Sequence, residues 1–320
     1  METVVIALGG NAVLQPGQRG TFEEQLANAA VAARAIRYIL EDGYRVIVTH
    51  GNGPQVGNIL LQNEEAKAIV PPLPLDACGA ESQGLLGYML VRSLLSELRT
   101  HGVEREVVAL VSMTVVSPDD PAFQNPTKPI GPFYAKPRAM QLMAERGYQM
   151  REDSGRGWRR VVASPEPLEI VGATTIRRLV EAGVVVIASG GGGIPVVRTS
   201  DGAIAGVEAV IDKDLAAHRL AEVVDADVLL ILTDVQAAAL NYGTPAQKDL
   251  VGRVPYAKML QYHREGHFGA GSMGPKVEAA LRFVGSASGR KARRAVIASL
   301  NVAREALRGE AGTCIVADEV

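Results

Sequence analysis

Cysteine is almost missing from this chain of 320 residues: there are two, Cys78 and Cys314, far apart in sequence. Two distant thiols give no disulfide framework and point to a reducing compartment. A surplus of charge of one sign is missing too. Lys and Arg number 33 against 35 Asp and Glu, a formal net charge of −2, and no basic run stands out, which argues against nucleic acid as the main partner. No apolar stretch approaches the roughly 20 residues of a membrane span. Met1-Glu2 leads straight into a strand-like run, without the basic region, apolar segment or cleavage site of a leader. A cytoplasmic protein without membrane contact is expected, and its 47% hydrophobic content is ample for a core.

Several chemical signatures are absent as well. The P-loop pattern of two glycines spaced by four, then Lys and Ser/Thr, does not occur. Neither glycine cluster near the amino end has the spacing of the dinucleotide fingerprint. The histidines and cysteines show no metal-ligand spacing, so no protein-held metal is expected. Ser189 runs directly into glycines, which does not fit the elbow of a serine hydrolase.

What the chain does contain is a regular alternation. Strand-like runs lie at 3–8, 45–49, 107–111, 184–188 and 228–232, with weaker ones near 295–298 and 313–316. Helical patterns fall between them at 22–41, 55–67, 79–98, 172–182, 214–224 and 275–284. This predicts an α/β fold: a three-layer sandwich with a mainly parallel central sheet and helices on both faces. Ligands in such sheets bind at the carboxyl ends of the strands. Three of those ends carry glycine clusters: Gly9-Gly10-Asn11, His50-Gly51-Asn52-Gly53-Pro54 and the four glycines at 190–193. One site fed by three loops is expected, with His50 packing at a strand end in preference to serving as a base.

The segment 117–167 breaks the rhythm. It holds eight prolines and an arginine-rich piece at 151–160, together with apolar anchors such as Phe123, Phe133, Tyr148 and Trp158. It reads as a small lid subdomain that presents Lys128 on a proline-stiffened loop and closes over the sheet edge to bring it to the site.

Two further lysines occupy awkward positions. Lys213 stands at the start of the helical pattern 214–224, and Lys276 follows a glycine-rich loop and Pro275 at the start of the next one. The positive end of a helix dipole disfavours a cation. An anion between lysine and dipole removes the conflict, and phosphate is the usual one. The same arrangement twice points to polyphosphate, hence to phosphoryl transfer from a nucleotide to a small acid. In that reading Lys128, Lys213 and Lys276 neutralise the travelling group, and a magnesium ion bridges the nucleotide phosphates. An acceptor that is already an anion needs no general base.

The motifs His50-Gly-Asn-Gly-Pro-Gln-Val-Gly57, Asp120-Pro-Ala-Phe-Gln-Asn-Pro-Thr-Lys-Pro-Ile-Gly-Pro-Phe-Tyr134, Gly190-Gly-Gly-Gly-Ile-Pro-Val196, Ala209-Val-Ile-Asp-Lys-Asp214 and Gly271-Ser-Met-Gly-Pro-Lys276 resemble those of the carbamate kinases. These share the amino acid kinase fold, and the resemblance runs from Val4 to about Val316. It implies reversible transfer between ATP and carbamate, giving ADP and carbamoyl phosphate, in a homodimer using Mg2+ with ATP/ADP, and a place in arginine catabolism. It also implies an acceptor lobe at 1–200, including the lid, and an ATP lobe at 201–320. Gly9, Gly10, Asn11, Gly51, Asn52 and Gly53 would surround the carbamoyl group. Lys128 and Lys213 would hold the phosphoryl, Lys276 the nucleotide phosphates, and Asp214 would orient the lysines. Gly191, Thr233, Asp234, Val235, Gly271, Ser272 and Met273 would lie on the nucleotide side. Ala237-Ala238-Ala239 departs from the family, which often has an aromatic residue there; a loosened adenine pocket is the expected consequence. Glu81 also replaces a commonly apolar residue. Another acid kinase of the same fold and a nucleotide sensor without activity remain as alternatives. Retention of all three lysines and Asp214 speaks against the sensor.

Overall fold

Strand β1 (Thr3–Leu8) has no exposed face. Val5 and Ala7 enter one apolar core while Val4, Ile6 and Leu8 enter another, so this aliphatic run needs a helical layer on each side. The structure is a computed structural model and describes residues 1–15, 17–153, 155–269, 273–286 and 292–318, with Asn11 described by its backbone alone. Thr21 starts α1 (Phe22–Glu41) with a capping box: its hydroxyl accepts from the Glu24 N–H, and the Glu24 carboxylate accepts from the Thr21 N–H. The stripe Ala29, Ala32, Ala33, Ile36 and Ile39 then packs with β1 and with Val46 and Val48 of β2 (Arg45–His50).

Beyond β2 come α2 (Gly53–Ala66), α3 (Leu75–Thr100), β3 (Val107–Ala109) and β4 (Met113–Val115). The proline-rich excursion holds β5 (Lys128–Tyr134), α4 (Lys136–Arg146), β6 (Met150–Glu152) and β7 (Trp158–Val162). The chain returns through β8 (Glu169–Ile170), α5 (Ala173–Glu181), β9 (Val185–Ile187), β10 (Ile194–Arg198) and β11 (Ile204–Gly206). It then forms α6 (Lys213–Val223), β12 (Val228–Thr233), the small hairpin β13 (Ala239–Leu240) and β14 (Lys248–Asp249), and β15 (Gly252–Pro255). Last are α7 (Tyr256–Arg264), α8 (Met273–Gly285), β16 (Arg294–Ser299), α9 (Ala303–Leu307) and β17 (Thr313–Val316).

The main sheet runs β15-β17-β16-β12-β1-β2-β9-β3, and every pair is parallel except β16 with β17. One face packs on α5, α6 and α8 and the other on α1, α3 and α9, which is the three-layer arrangement expected. From β1 the chain steps to β2 on one side and later to β12 on the other. The crevice at such a reversal, outside the carboxyl ends, is where open α/β sheets take ligands. Among the described residues no helix is long and apolar enough to cross a membrane.

The excursion is a three-stranded antiparallel sheet, β5-β7-β6, closed by Ala139 and Leu142 of α4 against Met150, Tyr148 and Trp158. Lys128 is the first residue of β5, opposite Val162, and not part of a loop as expected. The prolines at 129 and 132 misled the reading: β5 pairs with β7 alone, and an edge strand tolerates residues that cannot donate to the ladder.

This small sheet is seated on α2 by two glycines. A Cβ added to Gly57 would lie 1.9 Å from the Gly131 nitrogen and 2.0 Å from its Cα, so the two backbones touch. Gly57→Ala should therefore lower stability by about 1–3 kcal/mol, the usual cost of overpacking, read from a denaturant midpoint. An unchanged midpoint would show that the contact yields without cost.

Candidate active site at the strand ends

The ends of β1, β2 and β9 converge through close approaches that exclude larger residues. Gly9 donates its N–H to the Leu232 carbonyl at 2.9 Å, and a Cβ there would sit 2.8 Å from that oxygen. A Cβ on Gly51 would lie 3.3 Å from Lys213 Cδ and 3.4 Å from the Gly10 nitrogen, so Gly10, Gly51 and the lysine stem share one spot. Gly53 faces the Pro129 carbonyl across 3.6 Å from the same hypothetical atom. Gly191 combines a φ of 66° with a Cβ position 2.2 Å from Asn52 Nδ2, so both its backbone and its surroundings require glycine. The Asn52 amide donates to Ser82 Oγ at 2.8 Å, and Ser82 donates to the Gly79 carbonyl at 2.7 Å. The single site expected from three glycine loops is thus assembled around Asn52, Gly51 and Gly10; of Asn11 the structure gives the backbone, in the single turn Gly10–Ala12.

The histidine in this region is structural. His50 is fully buried, its Nδ1 lies 3.1 Å from the Gly51 carbonyl, and burial pushes its pKa down to about 4. A neutral ring beneath Gly190 fits the packing role expected.

Charge is supplied from α6, α8 and β5. Asp212 caps α6: its Oδ1 accepts from the N–H groups of Asp214 at 2.8 Å and Leu215 at 3.3 Å. Lys213 and Asp214 follow, at 8% and 2% exposure. Charges this deep are tolerated when paired. Asp214 pairs with two lysines: Lys213 Nζ lies 2.5 Å from its Oδ1 and Lys276 Nζ 3.1 Å from its Oδ2. The third ammonium, Lys128, reaches Asp212 Oδ2 at 2.7 Å. All four residues expected to be catalytic therefore meet at the amino ends of α6 and α8.

Burial alone would push both carboxyls up, yet the adjacent lysines hold Asp212 and Asp214 below the usual carboxylate range. Burial, helped by neighbouring Lys276, pulls Lys213 down in spite of its bond to Asp214. For Lys276 burial acts in the same direction, but Asp214, Asp212 and Asp234 outweigh it and the ammonium is stabilised.

In the structure the Gly57 and Gly131 contact seats β5 against α2 and the Lys128 ammonium touches Asp212, so the subdomain is placed with Lys128 at the cluster. One expectation is corrected. The conflict between lysine and helix dipole is answered first by the chain itself, through the Asp212 cap and the Asp214 carboxylate, before any phosphate is invoked.

Of the residues expected to meet the nucleotide, Thr233 ends β12 and its hydroxyl lies 3.1 Å from exposed Asp234; half-buried Val235 follows. Met273 opens α8 and packs on the main core. Gly271 and Ser272 lie outside the described residues. Ala237, Ala238 and Ala239 are buried: Ala238 donates its N–H to Thr313 Oγ1 at 2.9 Å and Ala239 pairs with Asp249. Small residues fit because β13 packs directly on the strand from Thr313. Glu81 is exposed on α3, while its neighbour Gln83 does more than the sequence suggested. Gln83 donates to the Gly190 carbonyl at 2.9 Å and accepts from Ser112 N–H at 2.8 Å, clamping the third loop. Asp212 was missed as well; an aspartate just ahead of a helical pattern signals a cap, but nothing local signals a lysine 84 residues away.

Comparisons with known proteins point to one family. A sequence model of the amino acid kinase family matches residues 2–299. The chain is 54% identical to the carbamate kinase of Pyrococcus horikoshii, over 98% of both chains. It is 48% identical to that of Clostridium perfringens, over 98% of this chain and 99% of the relative. Among solved structures, the carbamate kinase of Giardia lamblia bound to AMP-PNP superposes with a TM-score of 0.90 at 46% identity, over 99% of both chains.

Proposed function

The chain belongs to the amino acid kinase family, among its carbamate kinases, and on that premise we propose that the lysine and carboxylate cluster transfers a phosphoryl group between ATP and carbamate. A carbamate oxygen attacks the γ-phosphorus, the bond to the β,γ-bridging oxygen breaks, and ADP leaves as carbamoyl phosphate forms. The observation that carries this reading is Asp214, one buried carboxylate holding ammonium groups from two helices, with a third ammonium two residues away on Asp212. Such reactions depend on positioning and charge neutralisation more than on covalent help. Carbamate is already an anion, so neutral His50 is not needed as a base.

In this reading Lys128 and Lys213 hold the transferring group, and Lys276, beside Asp234, meets the nucleotide phosphates. Gly9, Gly10, Asn11, Gly51, Asn52 and Gly53 surround the carbamoyl group, with the Gly9 and Gly51 N–H groups already bonded to the Leu232 and Leu8 carbonyls. Gly191, Thr233, Asp234, Val235 and Met273 line the nucleotide side, and the resemblance assigns Gly271 and Ser272, outside the described residues, to the same role. Residues 1–200 then serve the acceptor and 201–320 the nucleotide, although one sheet runs through both. Resemblance to the carbamate kinases extends the reading to a cytoplasmic homodimer that makes ATP from carbamoyl phosphate in arginine catabolism.

Magnesium fits as a companion of the nucleotide. Asp212 and Asp214 are taken by lysines, and among the described residues no group of three or more His, Cys, Asp or Glu could cage a cation. Oxygens of the phosphates are the donors such an ion prefers, with few protein ligands. When bound it neutralises charge on the β- and γ-phosphates. The purified protein should make ATP from ADP and carbamoyl phosphate, and excess chelator should abolish the activity until Mg2+ is restored. Full activity in chelator would remove the metal from the reading; no ATP from carbamoyl phosphate under any condition would remove the substrate.

A further inference from the structure

Any of Asp, Asn, Ser or Thr can cap a helix, so capping alone does not explain a carboxylate at position 212. Its second oxygen does. While Oδ1 takes two N–H groups of α6, Oδ2 accepts from Lys128 Nζ at 2.7 Å. We propose, resting on the phosphoryl-transfer reading above, that Asp212 is a positioning residue for the reaction: it fixes the Lys128 ammonium of β5 to the same helix end that presents Lys213 and Asp214.

A backbone frame prepares the contact. Lys128 stands opposite Val162 in the small sheet. The next residue, Ala163, forms a bridge with Ala209 and accepts the Val210 N–H at 2.9 Å, two residues before Asp212. That frame places the Lys128 Cα but leaves a flexible four-carbon stem free to rotate, and a charge-assisted bond is what holds its tip. The pair is mostly withdrawn from water, with side-chain exposures of 26% and 17%, unlike the solvated surface pairs that contribute little. Lys128 and Lys213 together keep the Asp212 carboxyl ionised despite its burial.

Two variants separate the cap from the tie. Asp212→Asn keeps an oxygen for the α6 N–H groups and loses the charge that holds Lys128; Asp212→Ala loses both. Asp212→Asn should therefore melt about 2 °C above Asp212→Ala. Both should lose roughly 10- to 100-fold in kcat/KM for carbamoyl phosphate, the scale of a misplaced catalytic group. ADP affinity, measured by calorimetry, should stay within about threefold of the parent in both. Adding Asp212→Asn to Lys128→Met should cost nothing more, since the tie is already gone. Lysine acylation followed by mass spectrometry should find Lys128 more reactive in both Asp212 variants, and this readout does not depend on activity. If the parent itself makes no ATP from carbamoyl phosphate, the functional reading falls, while the labelling still tests the tie. Parent-like kcat/KM in Asp212→Asn, additive losses in the double variant, or unchanged Lys128 labelling would each overturn the proposal.

Discussion

Lys213→Met should lower kcat by about 100- to 1000-fold, the cost of removing one preorganised donor from a developing charge, and should leave the protein folded. The site explains why both halves of that result are expected. The stem of Lys213 runs past Gly51 and Gly10, where the acceptor is read to sit, and methionine fills much of the same volume. Asp214 keeps Lys276 at 3.1 Å, so the substitution does not strand a buried carboxylate. Thermal melting of the variant near the parent value, together with single-turnover rates, would separate lost chemistry from lost structure. A fall in rate below about fivefold would mean that Lys213 merely pairs with Asp214.

The order of elements was legible because the central strands are short aliphatic runs, of which β1 and β2 stop at glycines. In β1, β2 and β12 every residue but the last or first is buried, and a segment with no polar face has no other place in a soluble domain. The predicted start of α1 matches the observed one, where Thr21 and Glu24 form a capping box. The second sheet, β11-β10-β4-β8, was not legible: its strands have two to five residues, too few for a period to emerge. For α4 the reason is composition, since only Ala139 and Leu142 are buried in a helix otherwise facing water. The site divides along the same line. Lys213 and Asp214 are neighbours in sequence, and their helix-end position raised an electrostatic question that can be asked locally. The partnership of Asp212 with Lys128, and of Gln83 with the loop at Gly190, depends on segments brought together by the tertiary fold.

Asp214→Asn should change both rate and pH dependence, because it removes the counter-ion of two lysines at once. The amide keeps the shape, but Lys213 and Lys276 would face each other across a neutral group in a buried site. Stranding buried charge this way costs about 3–5 kcal/mol. Misalignment of the lysines should lower kcat roughly 100-fold. The sign of the pH effect follows from the proton balance. In the parent, burial and Lys276 already lower the Lys213 pKa, and Asp214 opposes them. Without that carboxylate the pKa falls further, so the charged form that binds the phosphoryl group is lost at a lower pH. The alkaline limb of the kcat profile should move toward neutrality. Stability should respond in the opposite direction. The folded variant binds fewer protons than its unfolded chain, so the deficit against the parent should shrink as pH rises through the folded Lys213 pKa. Denaturant midpoints across the same pH range measure this directly. An alkaline limb that stays in place, with a stability loss below about 1 kcal/mol, would show that the two ammonium groups do not depend on Asp214 and that the cluster is balanced by some other charge.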